Sequence, residues 1–481
     1  MGDHAAPLLK KFYYENCPGC AHDQKKELHR GIPYKEFLYV WIATLCTTLP
    51  ISSLFPFLYF MIRDLNIAKR EEDIGFYAGF VGAAFMFGRA LTSVHWGIAA
   101  DRYGRKPVVV IGILAVIIFN TLFGLSVNYW MAITTRLLLG ACNGLLGPIK
   151  AYSIEVCRPE HQALGLSLVS TAWGIGLIVG PAIGGYLAQP AEKYPSIFSP
   201  ESFLGRFPYF LPCVCISLFA VAVFISCLWL PETLHKHNIN RTGDQSVENL
   251  ESLAYDSDLK QHNEEREGAA PKQNLFKNWP LMSSIIVYCI FSLHDMAYTE
   301  IFSLWAESDK KYGGLNFSSE DVGQVLAFSG FGLLVYQLFI YPQFTRVLGP
   351  VTLSRAAAVL AIPLLASYPF MTNLSGNELS IIVCSASVLK NLLSVTIITG
   401  LFILQNNAVP QDQRGAANGI SMTGQSIFKS IAPAAGGVLF SWAQKRQHAS
   451  FFPGDQMIFL ILNVVEFIGL LATFKPFLAT Q

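Results

Sequence analysis

The chain has 481 residues, of which 52% are hydrophobic and 14% are charged, and its formal net charge is +1. Soluble domains carry about 25% charged residues, so this composition excludes an ordinary soluble protein and indicates a membrane protein. The net charge says nothing about nucleic acid, but no basic cluster is dense enough to indicate such a partner, so we expect none.

The polar N-terminal segment, residues 1–36, has no early apolar core, so we expect no cleavable signal peptide. It contains Cys17-Pro-Gly-Cys20. Two thiolates do not complete a tetrahedral zinc site, and the histidines that could add ligands are His22, His29, His235 and His237. Metal binding and a role without metal both stay open at this point.

Apolar runs long enough to cross a bilayer follow one another along the chain. They lie near 38–61, 75–97, 107–127, 129–151, 163–188, 208–230, 279–305, 321–342, 352–372, 379–404, 415–441 and 456–474. A lone span must satisfy its backbone hydrogen bonds internally, which favours helices. The predicted fold class is an all-α membrane protein with twelve transmembrane helices in two six-helix repeats.

These runs divide the chain into an N-terminal half (37–230), a polar cytosolic linker (231–277), a C-terminal half (278–475) and a short tail (476–481). Lys and Arg are more numerous in the loops that share a side with the termini, which predicts cytosolic termini. The halves also resemble each other in sequence, since Pro181-Ala-Ile-Gly-Gly in span 5 returns as Pro433-Ala-Ala-Gly-Gly in span 11. Such repeats are typical of transporters with a substrate site between the halves.

A charged loop joins spans 2 and 3. It reads W-G-I-A-A-D-R-Y-G-R-K and contains Gly97, Asp101, Arg102, Gly104, Arg105 and Lys106. Charges this dense must lie at a membrane surface, and an ordinary charged turn is the alternative interpretation. The pattern is similar to the loop between helices 2 and 3 of the major facilitator superfamily. That resemblance implies that Asp101 meets the positive end of span 11, near Gly415, and closes the cytosolic side. Arg89, deep in span 2, is a candidate brace for Asp101.

Spans 4 and 5 carry two further motifs of that superfamily. Arg136 with Gly140 and Gly144 in span 4 resembles its R-x-x-x-G motif, for which snorkelling of Arg136 to the membrane surface is the alternative. Span 5 contains Gly174, Gly176, Gly180, Pro181, Gly184 and Gly185. This run resembles the antiporter signature of proton-driven exporters, while close helix packing alone would also explain the glycines.

Ionisable residues interrupt the apolar spans of the C-terminal half. Span 7 contains His294, Asp295 and Glu300, and basic residues lie mid-span at Lys390 and Lys429. Neighbouring positions 294 and 295 face different sides of a helix, so we expect one of them to face the cavity. Asp295 is the preferred proton carrier because Lys390 or Lys429 can be its counter-charge. Glu300 is a further candidate for proton or substrate binding, with an outer-vestibule position as the alternative.

Taken together, C-P-G-C before span 1, W-G-x-x-A-D-R-Y-G-R-K-P, E-V-C-R-P-E-H-Q-A-L-G at 155–165 and W-G-I-G-L-I-V-G-P-A-I-G-G resemble the plant zinc-induced facilitator-like family. The resemblance covers nearly the whole chain. It implies a proton-coupled antiporter for zinc, for metal chelators such as nicotianamine and mugineic acids, or for potassium and organic anions, in the vacuolar or plasma membrane.

Two other function classes stay open. One is a proton-coupled sugar or drug carrier, and the other is a transport-dead receptor of the same fold. An enzyme is not expected, and no nucleotide-binding loop or other cofactor motif is present. We expect a monomer whose partners are a small solute or ion, protons and the lipid bilayer.

Overall fold

The computed structural model is a bundle of helices and describes residues 17–28, 31–158, 162–234, 275–409, 414–447 and 454–478. Numbered in chain order, the α-helices are α1 Pro18–Leu28, α2 Tyr34–Ser52, α3 Leu58–Asp64, α4 Ile74–Tyr103, α5 Arg105–Ala115, α6 Thr121–Gly124, α7 Tyr129–Cys142, α8 Leu146–Glu155, α9 Gln162–Leu187, α10 Pro190–Lys193, α11 Phe203–Arg206, α12 Phe210–Cys227, α13 Trp279–Glu307, α14 Ser319–Val335, α15 Tyr341–Leu348, α16 Pro350–Ser367, α17 Gly376–Asn407, α18 Arg414–Gln444 and α19 Gly454–Ala472. Two π-helical turns, Val116–Asn120 and Tyr336–Ile340, continue α5 into α6 and α14 into α15. Short 3₁₀ turns lie at Glu71–Asp73, Leu275–Lys277, Lys310–Tyr312 and Tyr368–Asn373.

Among the described residues, eight helical segments are long and apolar enough to cross a bilayer by length and composition. They are Glu71–Ser93, Arg105–Gly124, Tyr129–Glu155, Ser167–Leu187, Phe210–Cys227, Trp279–Glu307, Pro350–Asn373 and Gly376–Asn407. The helical membrane class is therefore confirmed, while the count of twelve crossings stays a prediction. The first predicted span is broken in the structure, because α2 ends at Ser52 and α3 begins at Leu58.

Short polar side chains fix where several helices begin. The Asn128 side chain accepts a hydrogen bond from the backbone N–H of Met131 at 2.8 Å, and Ser318 forms a capping box with Asp321 at the start of α14. Such caps satisfy N–H groups that have no partner within the helix. Gly104 separates α4 from α5 with a φ of +114°, a backbone conformation that favours glycine.

Both ends of the described chain lie at one end of the bundle, which we call the terminal end. There the Gly19 N–H donates to the Leu234 carbonyl at 3.1 Å, and Trp279 Nε1 donates to the Phe477 carbonyl at 3.1 Å. The opposite end, which we call the distal end, holds the segments that follow or connect helices at 65–73, 125–128, 188–209, 308–318 and 445–447.

The two halves meet in two helix crossings near the distal end. In the α4–α18 crossing, a Cβ placed on Gly79 would lie 2.5 Å from the Pro433 carbonyl oxygen and 2.9 Å from Gly437 Cα. In the α9–α14 crossing, a Cβ on Gly323 would lie 2.7 Å from the Pro181 carbonyl oxygen. Small residues allow this backbone contact. The repeated Pro-x-x-Gly-Gly motif therefore marks both crossings.

A hydrophobic cluster closes the distal end. It joins side chains of the N-terminal half, such as Phe57 and Tyr59, to Trp305 and Phe440 of the C-terminal half. Other clusters stay within one half. At the terminal end, positions Gly97 on α4 and Gly419 on α18 face open space. The structure is thus closed at the distal end and open at the terminal end.

Candidate substrate and proton site

A buried ion pair lies in the middle of α13. Lys390 Nζ donates to Asp295 Oδ1 at 3.0 Å, and it lies 3.8 Å from the centroid of the Tyr298 ring. The Lys390 side chain is 1% exposed, whereas that of Asp295 is 27% exposed. Asp295 therefore reaches the open space between the halves, and Lys390 is held behind it.

His294 points away from that pair and contacts another carboxylate. His294 Nδ1 and Glu466 Oε2, on α19, are 3.0 Å apart, and both side chains are 2% exposed. The other polar atom of each group, His294 Nε2 and Glu466 Oε1, has no hydrogen-bond partner among the described residues. Glu466 was not predicted from the sequence, although an acidic residue inside an apolar span is itself a signal.

Three half-buried basic side chains lie around the space next to Asp295. They are Arg89 on α4, Lys150 on α8 and Lys429 on α18. Arg89 lies within electrostatic range of both lysines, and Lys429 within range of Asp295. In the described part of the chain, Asp295 is the carboxylate that faces this group, and Lys390 already occupies it. The space between the halves therefore carries excess positive charge. Lys150 was not among the residues that the sequence singled out.

Arg89 does not brace Asp101 in this structure. Both belong to the continuous helix α4, Ile74–Tyr103, and their separation along the helix is about 18 Å at 1.5 Å per residue. Arg89 instead lies at the level of Lys429. Its place is with the charged groups between the halves.

Arg136 is enclosed within the N-terminal half. Its Nη1 donates to the Pro50 carbonyl at 2.9 Å, and its guanidinium lies 5.1 Å and 5.3 Å from the ring centroids of Phe85 and Phe123. The residue is 2% exposed, so the side chain does not reach the membrane surface. The snorkelling alternative is not what the structure shows.

Glu300 lies at the α4–α18 crossing. It is 1% exposed, and neither carboxyl oxygen has a hydrogen-bond partner in the described ranges. A Cβ on Gly82 would lie 3.0 Å from Glu300 Oε2 and 3.3 Å from Pro433 Cβ. Arg136 is the charged group that faces it across the halves. In this state Glu300 is not an exposed vestibule residue.

The Asp101 loop is held by two glutamates that the sequence analysis did not select. Arg105 Nη1 donates to Asp101 Oδ1 at 2.6 Å, and its Nη2 donates to Glu155 Oε1 at 2.9 Å. Glu232 accepts the backbone N–H groups of Arg105 and Lys106 at 3.0 and 3.1 Å. The Asp101 side chain is 70% exposed. Its contact with the start of α18 stays a prediction for a state closed at the terminal end.

The remaining groups of this loop lie at its surface. Arg102 stacks over the Tyr103 ring at 5.6 Å, and Lys106 Nζ donates to the Leu228 carbonyl at 2.6 Å. Gly104 packs against the Glu232 carboxylate. A side chain at Gly104 would displace that carboxylate from the N–H groups that it caps.

The glycines of α9 face two neighbouring helices. Gly176 packs on Thr48, Gly180 on Ser52 and Gly184 on Ser53. Gly185 packs on Gly323 across the halves, next to Pro181, whereas a Cβ placed on Gly174 would lie 3.4 Å from Leu334. Close helix packing accounts for these contacts. A link between this motif and exchange transport remains a proposal.

The N-terminal cysteines are buried at the start of α1, together with His22. Burial lowers the pKa of the His22 imidazole. Among the described residues, no group of three or more His, Cys, Asp or Glu side chains is arranged to hold a metal ion. His29, His235 and His237 lie outside those residues, so metal binding by Cys17 and Cys20 stays a prediction.

The helix that follows these cysteines contacts the Asp101 loop region. Lys26 Nζ donates to the Glu155 carbonyl at 2.6 Å, and Arg158 Nη2 donates to the Lys26 carbonyl at 2.7 Å. Lys25 pairs with Glu36 at 3.0 Å. The N-terminal segment thus packs on the terminal end of its own half.

Comparisons with known proteins agree with this architecture. The profile of the Major Facilitator Superfamily matches residues 40–433. The chain is 62% identical to the protein ZINC INDUCED FACILITATOR-LIKE 1 of Arabidopsis thaliana, over 99% of this chain and 98% of that protein. It is 57% identical to ZINC INDUCED FACILITATOR 1 of the same plant, with the same coverage. Among solved structures, a D-xylose-proton symporter superposes with a TM-score of 0.67 at 13% identity, covering 92% of this chain and 97% of that chain.

Proposed function

Because the chain belongs to the major facilitator superfamily and, within it, to the zinc induced facilitator-like family, we propose that it is a proton-coupled antiporter for an anionic small solute. It loads the solute from the cytosol, at the terminal end, and delivers it across the vacuolar or plasma membrane. The observation that carries the proposal is the group of Arg89, Lys150 and Lys429 between the halves.

These cations decide between the solutes that family membership suggests. A free zinc or potassium ion would meet like charges in a region of low dielectric, where repulsion is strong. A solute with several carboxylates would neutralise them. An amino-polycarboxylate chelator of the nicotianamine or mugineic-acid type fits further, since its ammonium group can approach Asp295, which is accessible. Zinc would then move as its chelator complex or through the supply of chelator.

The same three cations couple binding of the solute to movement of the two halves. Arg89 and Lys150 belong to the N-terminal half, and Lys429 belongs to the C-terminal half. An anion between them attracts both halves and relieves the repulsion between Arg89 and Lys429. Loading therefore favours closure of the terminal end around the solute, as alternating access requires.

Transport by the purified full-length protein in liposomes tests this function. With an imposed pH gradient, we expect uptake of nicotianamine and citrate to exceed that of free zinc or potassium. Lys429→Gln should reduce chelator uptake at least about tenfold, the effect of losing about 1.4 kcal/mol. Lys475→Gln, at an exposed lysine outside the site, is the matched control. Zinc or potassium uptake that exceeds chelator uptake, or chelator uptake that is unchanged in Lys429→Gln, would contradict the anion assignment.

The same assay separates the alternatives. A sugar or drug carrier would move a neutral solute at a rate that Lys429→Gln does not change. A transport-dead receptor would move none of the solutes under any gradient. The charged groups held between the halves speak against the receptor, because burying them costs several kcal/mol.

A further inference from the structure

Exchange of an anion for protons sets a constraint on where the proton binds. An anion at Lys429 attracts a proton to nearby Asp295, so binding at one shared site would favour co-transport of the two. Exchange therefore needs a proton-binding group away from the solute, coupled to it through the movement of the halves. We propose that Glu300 is this group, and that its protonation permits closure of the distal end. This inference rests on the proposed antiport function.

The position of Glu300 gives the physical reason. Its carboxyl lies between Gly82 of α4 and Pro433 of α18, where the two halves touch. An ionised carboxylate without partners at such a site costs several kcal/mol. The neutral acid can be buried there at far lower cost. In the state described here, Glu300 therefore carries its proton.

The groups that face Glu300 from its neighbours are few. Arg136 of α7 is the facing cation, while Gly82 and Pro433 supply only small or apolar atoms. On its own helix, Glu307 lies nearer the distal end and is 3% exposed. Lys193, Arg63 and the Tyr59 backbone face Glu307. Arg136 can stabilise Glu300 after the proton leaves, so both protonation states are accessible during the cycle.

A transport cycle follows from this position. When the proton leaves Glu300 toward the open terminal end, the ionised carboxylate destabilises the α4–α18 crossing, and the distal end opens with solute bound. Glu300 then meets the solution on the distal side and takes up a proton there. The neutral acid allows the crossing to close again. Each transport cycle thus moves one proton from the distal side to the terminal side by way of Glu300, and moves the solute in the opposite direction.

A cysteine reporter at the distal closure tests the proposal. Ser319 is 1% exposed and its carbonyl packs against Gly185 across the halves, so Ser319→Cys reacts with a membrane-impermeant maleimide only when the distal end opens. The full-length carrier is labelled over a range of pH, with and without Glu300→Gln. The intrinsic rise of thiol reactivity with pH is common to both variants and cancels in their ratio.

We expect the labelling of the carrier with native Glu300, divided by that of Glu300→Gln, to rise up to about tenfold per pH unit, since opening is linked to release of one proton. Glu378→Gln, at an exposed distal residue, and Glu307→Gln should both keep this pH dependence. A pH-independent ratio would overturn the proposal, as would loss of the dependence in Glu307→Gln. The labelling needs no solute, so a carrier that moves no anion but shows the expected ratio contradicts only the proposed function.

Discussion

The α4–α18 and α9–α14 crossings have the same backbone design and differ in the polar group beside them. In both, a Pro-x-x-Gly-Gly motif touches a glycine of the opposite half. Beside the α9–α14 crossing, Ser52 donates to the Gly176 carbonyl at 2.8 Å and is satisfied. Beside the α4–α18 crossing, the unsatisfied Glu300 occupies the contact. The repeat thus supplies two crossings with the same backbone contact, and in the proposed cycle Glu300 makes the α4–α18 crossing sensitive to protons.

The largest effect is expected at Asp295, a carboxylate paired with a buried cation, in contrast to the unpaired Glu300. Asp295→Asn leaves Lys390 buried without a counter-charge, which costs about 3–5 kcal/mol. Thermal unfolding in detergent should show the loss, and Asp295→Asn with Lys390→Met should recover most of it. Glu300→Gln should leave stability nearly unchanged, because it replaces a neutral acid. Equal destabilisation by both single variants would remove the distinction between paired and unpaired carboxyls.

The steric likeness of the two crossings is tested by valine substitutions. Gly79→Val and Gly323→Val each place a side chain against a backbone oxygen that cannot move away. Each should disfavour distal closure by about 1–3 kcal/mol and slow transport roughly 10- to 100-fold. Gly31→Val, with no atom of the described residues within 4 Å of its Cβ position, is the control. Tolerance of valine at only one crossing would show that the two joints are not equivalent.

A smaller effect is expected at the terminal end, where neither crossing extends. Asp101→Asn removes a charge that is exposed here but is predicted to meet the start of α18 in the other state. A charge at a helix terminus contributes about 0.3–1 kcal/mol, so the transport rate should fall by up to about fivefold with unfolding unchanged. Normal turnover in a well-expressed variant would show that the loop is only a charged turn.

The smallest effects are expected for the solvent-accessible ion pairs at the distal edge of the α4–α18 crossing. Lys445 pairs with Asp73 at 2.5 Å and Lys311 with Glu71 at 2.6 Å, but these side chains are accessible to solvent. Such pairs contribute about 0–1 kcal/mol and weaken with salt. Lys445→Ala should raise Ser319→Cys labelling at most a few fold, and less at high salt. Lys310→Ala, at an exposed neighbouring lysine, should have no effect on labelling. A larger rise in labelling from Lys445→Ala would show that the ion pairs at the edge, and not the α4–α18 crossing itself, hold the distal end closed.

The helices and the repeat could be predicted from the sequence because both are local patterns. Apolar runs indicated the membrane helices, and the recurring Pro-x-x-Gly-Gly motif indicated two related halves. The break after Ser52 was missed, since the apolar run continues across it. Termini on the cytosolic side and the number of crossings remain predictions, because both depend on how the bilayer surrounds the bundle.

The site was harder to predict because partners depend on how each helix is rotated. Asp295 could be matched to two lysines, and only the fold selects Lys390 as its contact. Lys150 and Glu466 carried a detectable signal, a charge inside or at the end of an apolar run, but nothing local revealed that they face Arg89 and His294. The burial of Glu300 between the halves was not predictable, since it depends on which end of the carrier is closed.

Alternating access at the proposed solute site predicts that α4 and α18 rotate against each other about a point close to that site. The antiparallel register of their crossing pairs Gly79 with Gly437 and Gly82 with Pro433. If this register is continued toward the terminal end, Gly97 of α4 comes opposite Gly419 of α18, where the two helices stand apart. Arg89 and Lys429 lie between these two levels of the helix pair, where such a rotation is expected to move the side chains least. A solute held near such a point keeps contacts with both halves in both states, so in the proposed cycle the opening of the distal end to solution, and not the separation of Arg89 from Lys429, exposes it for release.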